Sequence, residues 1–191
     1  MQGREILLGV TGGIAAYKAA MLASKLVQAG ADVSVIMTRS ATKLIGPRTF
    51  EALTGRPVRT NVFDRTKIHA HIELAREAEL LCIAPATANI LGKMACGIAD
   101  DLLSTVYLSF RGPVIVAPAM NREMWEKKVV QRNVALLQSD GVLFVGPESG
   151  RLSCGEVGMG RMAEPEQIIQ AIQAALHIHH KETKKHEGGR R

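Results

Sequence analysis

Three short runs in this chain are apolar almost residue by residue: LLCIAPA at 80–86, PVIVAPA at 113–119 and VLFVGP at 142–147. A strand with one wet face alternates apolar and polar side chains, whereas a strand covered on both faces has no position to give to water. Such strands belong inside a parallel sheet flanked by helices on both sides. The rest of the chain supplies the helices. Further strands are predicted at 5–10 (EILLGV), at 32–38 (DVSVIMT) and, weakly, at 57–60 (PVRT), and helical patterns at 14–29, 48–54, 71–78, 88–110, 122–138 and 165–178 alternate with the strands. The alternation implies an α/β fold: a doubly wound parallel sheet of about six strands in a three-layer sandwich of Rossmann or flavodoxin type.

A chain of 191 residues that is 47% hydrophobic suits one such domain, expected over 1–178, with 179–191 as a polar, basic, disordered tail. No apolar run approaches the roughly 20 residues of a membrane span. The opening MQGREILLGV passes into a strand pattern rather than a secretory signal, so a cytoplasmic protein with no membrane partner is expected. The tail KETKKHEGGRR carries five Lys or Arg against two Glu, half of the formal net charge of +6. It has no aromatic interleaving and no binding motif beside it, so no nucleic-acid partner is expected. Cys82, Cys96 and Cys154 form no C-x-x-C pair, and neither a disulfide framework nor a metal site is expected.

In doubly wound sheets the ligand sits outside the carboxyl ends of the strands. Here those ends read Thr11-Gly12-Gly13, Thr38-Arg39-Ser40, Pro85-Ala86-Thr87-Ala88-Asn89, Pro118-Ala119-Met120-Asn121 and GPESGRLSCGEVGMGRM. A glycine turn before a helix offers backbone N–H groups to phosphate. The spacing fits neither G-x-G-x-x-G nor G-x-x-x-x-G-K-[ST], and Gly12 and Gly13 read equally well as positive-φ residues of a tight connection. A nicotinamide site places a carboxylate at the end of the second strand, and none stands there. Arg39 leaves NADP open, but the hydroxyls of Thr38 and Ser40 suit a single terminal phosphate and favour a mononucleotide such as FMN.

The stretches GGIAAYK (12–18), HIELA (71–75), APATANILGKMACGIADDLLST (84–105), PAMNREMW (118–125) and SCGEVGMGRM (153–162) together resemble the homo-oligomeric flavin-containing cysteine decarboxylases, over about residues 4–175. Among these the chain is most similar to the branch acting on 4'-phosphopantothenoylcysteine. The resemblance implies FMN held by Gly12, Gly13, Ile14, Thr38, Arg39, Ser40, Thr87, Ala88, Asn89, Ile90 and Ala119. It implies a substrate site at Met120 and Asn121, with the Asn121 amide on the substrate carboxylate. His71 and Cys154 match the catalytic positions, His71 as an acid/base group and Cys154 as the proton donor for reduction of the ene-thiol formed after CO2 leaves.

Each of these side chains also has a plainer reading. His71 is a solvated residue at a helix start, and Asn121 is an N-cap for a helix beginning at Arg122. Cys82 and Cys96, in a strand and on a helix, read as small core residues, whereas Cys154 sits in a glycine-rich segment where packing explains little. Three further readings compete: an oxidative peptidyl-cysteine decarboxylase, which the presence of Cys154 disfavours, a flavin prenyltransferase, and a non-catalytic flavin-binding regulatory subunit. The resemblance further implies a homotrimer or dodecamer; many relatives continue into a second domain that joins cysteine to 4'-phosphopantothenate, and because this chain departs from them by ending in its polar tail, a stand-alone decarboxylase with a separate ligase is expected.

Overall fold

The computed structural model describes residues 1–61, 70–151, 155 and 157–188. Five parallel strands, β1 (Glu5–Val10), β2 (Asp32–Met37), β3 (Leu80–Ala86), β4 (Val114–Pro118) and β5 (Leu143–Phe144), pair in the order β2-β1-β3-β4-β5. Every residue of β3 and β4 is buried, as their unbroken apolar character requires. The weak strand expected at 57–60 contributes one parallel bridge, Ile36 to Arg59, with backbone bonds of 2.9 Å from Met37 N–H to Arg59 and from Arg59 N–H to Val35. Pro57, which has no N–H to donate, keeps it from lengthening. Counted with that bridge, the order is 3-2-1-4-5-6, the doubly wound arrangement, and it reverses between β1 and β3.

Alternate residues of each strand feed two cores. Ile6, Leu8 and Val10 pack with Leu22 and Leu26 of α1 (Ala16–Gln28), Phe50 of α2 (Pro47–Thr54) and Ile168 and Ile172 of α8 (Pro165–Gly188). On the other face, Leu7, Leu81 and Ile83 pack with Ile90 and Leu91 of α4 (Ala88–Cys96), Leu103 of α5 (Leu102–Ser109) and Leu137 of α7 (Lys128–Ser139), while α3 (Ala70–Glu77) leans on this core through Leu74 and Ala75. Each fully buried Leu or Ile contributes about 1.5–3 kcal/mol. Among the described residues no helix is long and apolar enough to cross a membrane.

Several boundaries depart from the sequence reading, each for a local reason. The helix expected over 88–110 is two helices. Gly97, at φ +66, ends α4, and a reciprocal cap starts α5: the Asp101 carboxylate accepts from Ser104 N–H at 2.9 Å while the Ser104 hydroxyl accepts from Asp101 N–H at 3.2 Å. The helix expected over 122–138 divides into α6 (Arg122–Trp125) and α7, because the Gln131 side-chain amide, at 2.6 Å, takes the Trp125 carbonyl. Helix α8 runs past 178 to Gly188, into the stretch expected as a tail, where Lys and Glu are good helix formers. The segment after β5 forms an antiparallel hairpin of β6 (Glu148–Arg151) and β7 (Val157–Arg161), absent from the sequence reading because its glycines and exposed residues show no alternation. Cys82 is a core residue whose thiol burial pushes up to about 12, but Cys96, expected in the core, is exposed at the end of α4.

One buried charge ties three elements together. Lys18 of α1, only 7% exposed, donates to the Met162 carbonyl at 3.1 Å and to Glu164 Oε1 at 2.9 Å, joining α1 to the chain between β7 and α8. Lys18→Met keeps the stem and loses both bonds. It is expected to lower stability by about 1–3 kcal/mol, the cost of a charged hydrogen bond and a stranded carbonyl, read as a lower urea midpoint at unchanged m-value.

Candidate active site

The lips of β1 and β3 are held together at the point where strand order reverses. The Thr11 hydroxyl, buried, donates to the Pro85 carbonyl at 2.6 Å and accepts from Thr87 N–H at 3.2 Å. Thr87 in turn caps α4, its hydroxyl accepting from Ile90 N–H at 3.5 Å. The glycine turn runs alongside. A Cβ on Gly12 would collide with the Cβ of Ser40, and one on Gly13 would sit 3.4 Å from Pro85 and Thr87. Neither glycine has positive φ, so the tight-connection reading is corrected: Gly12 is needed for the close approach of the second strand's loop.

Two recesses open at this end, one reached by Met124 of α6 and the other by its N-cap, Asn121. The first, about 480 Å³, is lined by Gly12, Thr38, Arg39, Ser40, Thr87 and Asn89, with Ala88 and Ile90 beside them. The second, about 620 Å³, is lined by Ile14, Ala119, Met120 and Asn121, with Lys18 and the hairpin residues Arg151 and Arg161. Ile14 and Ala119, grouped by the sequence reading with the cofactor residues, thus line the second recess. A larger recess of about 920 Å³ lies at the amino ends of the strands, against Arg4, Glu79 and Gly112, and holds none of the expected ligand residues. Ligands of this architecture bind at the carboxyl ends, which singles out the two smaller recesses.

Asn121 serves the plainer role read for it, as the N-cap of α6. Its Oδ1 accepts from Glu123 N–H at 2.7 Å and Met124 N–H at 3.4 Å, which fixes the side chain at the head of α6. The hairpin seats on the same corner. Met120 N–H donates to the Gly160 carbonyl at 3.0 Å, and a Cβ on Gly160 would collide with the Met120 carbonyl. Arg161 pairs with Glu148 at 2.9 Å, a hydrogen bond that raises the guanidinium pKa and lowers that of the carboxyl.

Lys93 and Asp101 also line the first recess, and the sequence reading missed both. Lys93 Nζ lies 2.6 Å from each of Asp100 and Asp101. Burial opposes the charge on Lys93, but the hydrogen bonds to the two carboxylates outweigh it and hold its pKa above the ordinary value. Burial likewise works to raise Asp101, and the bonds from Lys93 and Ser104 bring it below the ordinary carboxylate value. The signal was present: a glycine followed by Asp-x-x-Ser marks a stop and a capping box within the 88–110 pattern. Lys18, another omission, was visible as a lysine on an otherwise small and apolar helix face. Of the expected catalytic residues, His71 lies in the first turn of α3 with its side chain outside the described residues, and Cys154 lies outside them altogether.

The family described as Flavoprotein matches residues 1–177. Over 172 residues the chain is 49% identical to the coenzyme A biosynthesis bifunctional protein CoaBC of Bacillus subtilis (strain 168), covering 89% of this chain and 42% of that protein. The chain thus spans less than half the length of the curated relatives it matches. Among solved structures, a PPC decarboxylase mutant complexed with pantothenoylaminoethenethiol superposes with a TM-score of 0.80 at 31% identity, covering 91% of this chain and 98% of that one. The FMN-dependent cysteine decarboxylase SpaF superposes with 0.79 at 37% identity, covering 92% and 95%.

The seat of the hairpin can be tested directly. At φ +138, with the Met120 carbonyl against it, Gly160→Ala should strain the seat by on the order of 1–3 kcal/mol. Hydrogen exchange is expected to quicken about tenfold in β6 and β7 and to stay unchanged in β1 and β3; equal protection of the hairpin in both proteins would show that Gly160 does not key it.

Proposed function

Since the chain belongs to the Flavoprotein family, we propose that it is an FMN-dependent carboxy-lyase that converts 4'-phosphopantothenoylcysteine to 4'-phosphopantetheine in coenzyme A biosynthesis. The observation that carries this reading is the pair of recesses at the carboxyl end of the sheet, one lined by hydroxyl-bearing residues and the start of α4, the other holding Asn121. The similarity to the PPC decarboxylase supports the substrate, and that to the FMN-dependent cysteine decarboxylase SpaF supports the cofactor.

The first recess fits FMN by the chemistry of its donors. Gly12 leaves backbone where a side chain would block the approach, Thr38 and Ser40 offer hydroxyls, Arg39 a positive charge, and α4 its N-terminal amides behind Thr87. When bound, FMN supplies the two-electron acceptor that makes loss of CO2 from the neighbouring carbon feasible. The protein's part is placement and proton transfer. Asn121, its oxygen held in the α6 cap, presents its amide nitrogen side to the substrate carboxylate. Met120, fixed by the Gly160 carbonyl, lines the same recess. His71 acts as acid/base partner. Cys154 supplies the proton that forms one of the two carbon–hydrogen bonds when the ene-thiol is reduced and regains one from solvent; the accompanying hydride is what reduced FMN would return.

The assembly assigned is a homotrimer or dodecamer in the cytoplasm, drawing substrate from a phosphopantothenate–cysteine ligase. The bifunctional naming of the relatives, of which this chain matches under half, supports that link.

Mass spectrometry of 4'-phosphopantothenoylcysteine after incubation with the purified yellow protein tests the reading. Loss of CO2 alone is expected; loss of CO2 and two hydrogens would mark the oxidative peptidyl-cysteine type, and unchanged substrate would reject decarboxylation of this compound. Asn121→Asp is expected to abolish turnover while keeping the α6 cap, because a second carboxylate would face that of the substrate. For Cys154→Ser the expected result is CO2 release without 4'-phosphopantetheine, and normal product would remove Cys154 from the mechanism.

A further inference from the structure

We propose that Lys93 is a positioning residue of the flavin cleft: held between Asp100 and Asp101, its ammonium sets the charge of one cleft wall and with it the relative affinity for oxidised and reduced FMN. The inference rests on the FMN reading above and concerns residues to which that reading gives no role.

Three observations carry it. First, Lys93 and Asp101 line the same recess as Thr38, Ser40 and Thr87, and with Arg39 they are its ionisable lining residues. Second, the geometry is that of a charge clamp, with two contacts of 2.6 Å to an ammonium whose side chain is 16% exposed, where solvent screens little. Third, the local structure does not require a charge there. Gly97 already ends α4, Ser104 already completes the α5 cap, and Leu91 and Leu103 belong to one apolar core that holds the two helices. A lysine drawn into this position against desolvation therefore answers to the cleft.

The clamp of one ammonium and two carboxylates carries a single net negative charge, with Lys93 and Asp101 on the wall and Asp100 just outside it. Two-electron reduction makes the flavin more negative, so the sign of that wall weighs on the reduced form more than on the oxidised one. Removing the ammonium leaves the Asp101 carboxylate on the cleft wall without its counter-charge, with Asp100 beside it outside the lining, and disfavours reduction. Neutralising one carboxylate does the opposite. A clip with a merely structural role predicts no such reversal of sign, since loosening the turn from either side should act in the same direction.

The experiment uses the FMN-reconstituted protein and its variants, with oxidised FMN affinity read by fluorescence and the midpoint potential by reductive titration against a reference dye. Lys93→Gln is expected to shift the ratio of reduced to oxidised affinity at least tenfold toward the oxidised form, about 30 mV for a two-electron couple. Asp101→Asn, which retains a capping side chain, is expected to shift it in the opposite direction, and Lys93→Arg to remain with the wild type. Asp100→Asn, at the 60% exposed end of the clamp, supplies a second neutralisation of the same sign if either of the others folds poorly. Shifts of one sign in Lys93→Gln and Asp101→Asn, or FMN bound at an unmoved potential in all the folded variants, would overturn the inference alone. Wild-type protein that takes up no FMN would overturn it together with the reading on which it rests.

Discussion

Strands β3 and β4 are buried on both faces, and that constraint governs where polar chemistry can occur. With no wet face at the middle of the sheet, the hydroxyls, amides and charges that line the recesses gather at the ends of strands and on the helices that follow them. The reversal of strand order between β1 and β3 then parts two loops at one end, and Thr11 keeps the parting narrow by bonding to both Pro85 and Thr87. Everything assigned to ligand binding, from Gly12 to Asn121, is arranged around that small tie. The hydrophobic layers supply the stability; the tie supplies the register of the lips.

Much of this was legible in the chain because the signals were local and redundant. The apolar runs at 80–86 and 113–119 could not be edge strands or helix faces in this alternation, and they are the two most buried strands. The residues after each strand were small or hydroxylic, and they do gather at one end. Where several weak signals had to be weighed against one strong one, the reading failed. Periodicity across 88–110 outweighed Gly97 and the Asp101–Ser104 box, although the backbone obeys the latter. Cys96 followed the same error, since a helix that ends early leaves its last residue in solvent.

Other features were illegible for a deeper reason. The β6–β7 hairpin is held by backbone bonds and by close packing of glycines against Met120 and Arg122, none of which leaves a pattern of apolar spacing. The role of Lys18 is likewise tertiary: its partners lie at 162 and 164, and only the closed fold brings them to α1. The division of the ligand residues between two recesses, with Ile14 apart from Gly12, arises only in the closed fold, which sequence spacing does not convey.

The seating of the hairpin on glycines has an evolutionary consequence. Gly158 and Gly160 fix its position through main-chain contact and through the absence of side chains, so that seat asks nothing of the Arg151 side chain in the recess wall. Residues such as Arg151 can then drift or be selected without disturbing the sheet, the flavin-side loops or the Asn121 corner. The seat thereby separates where the hairpin stands from which side chains it presents, so the wall of the recess can be altered at Arg151 while the sheet beneath keeps its geometry.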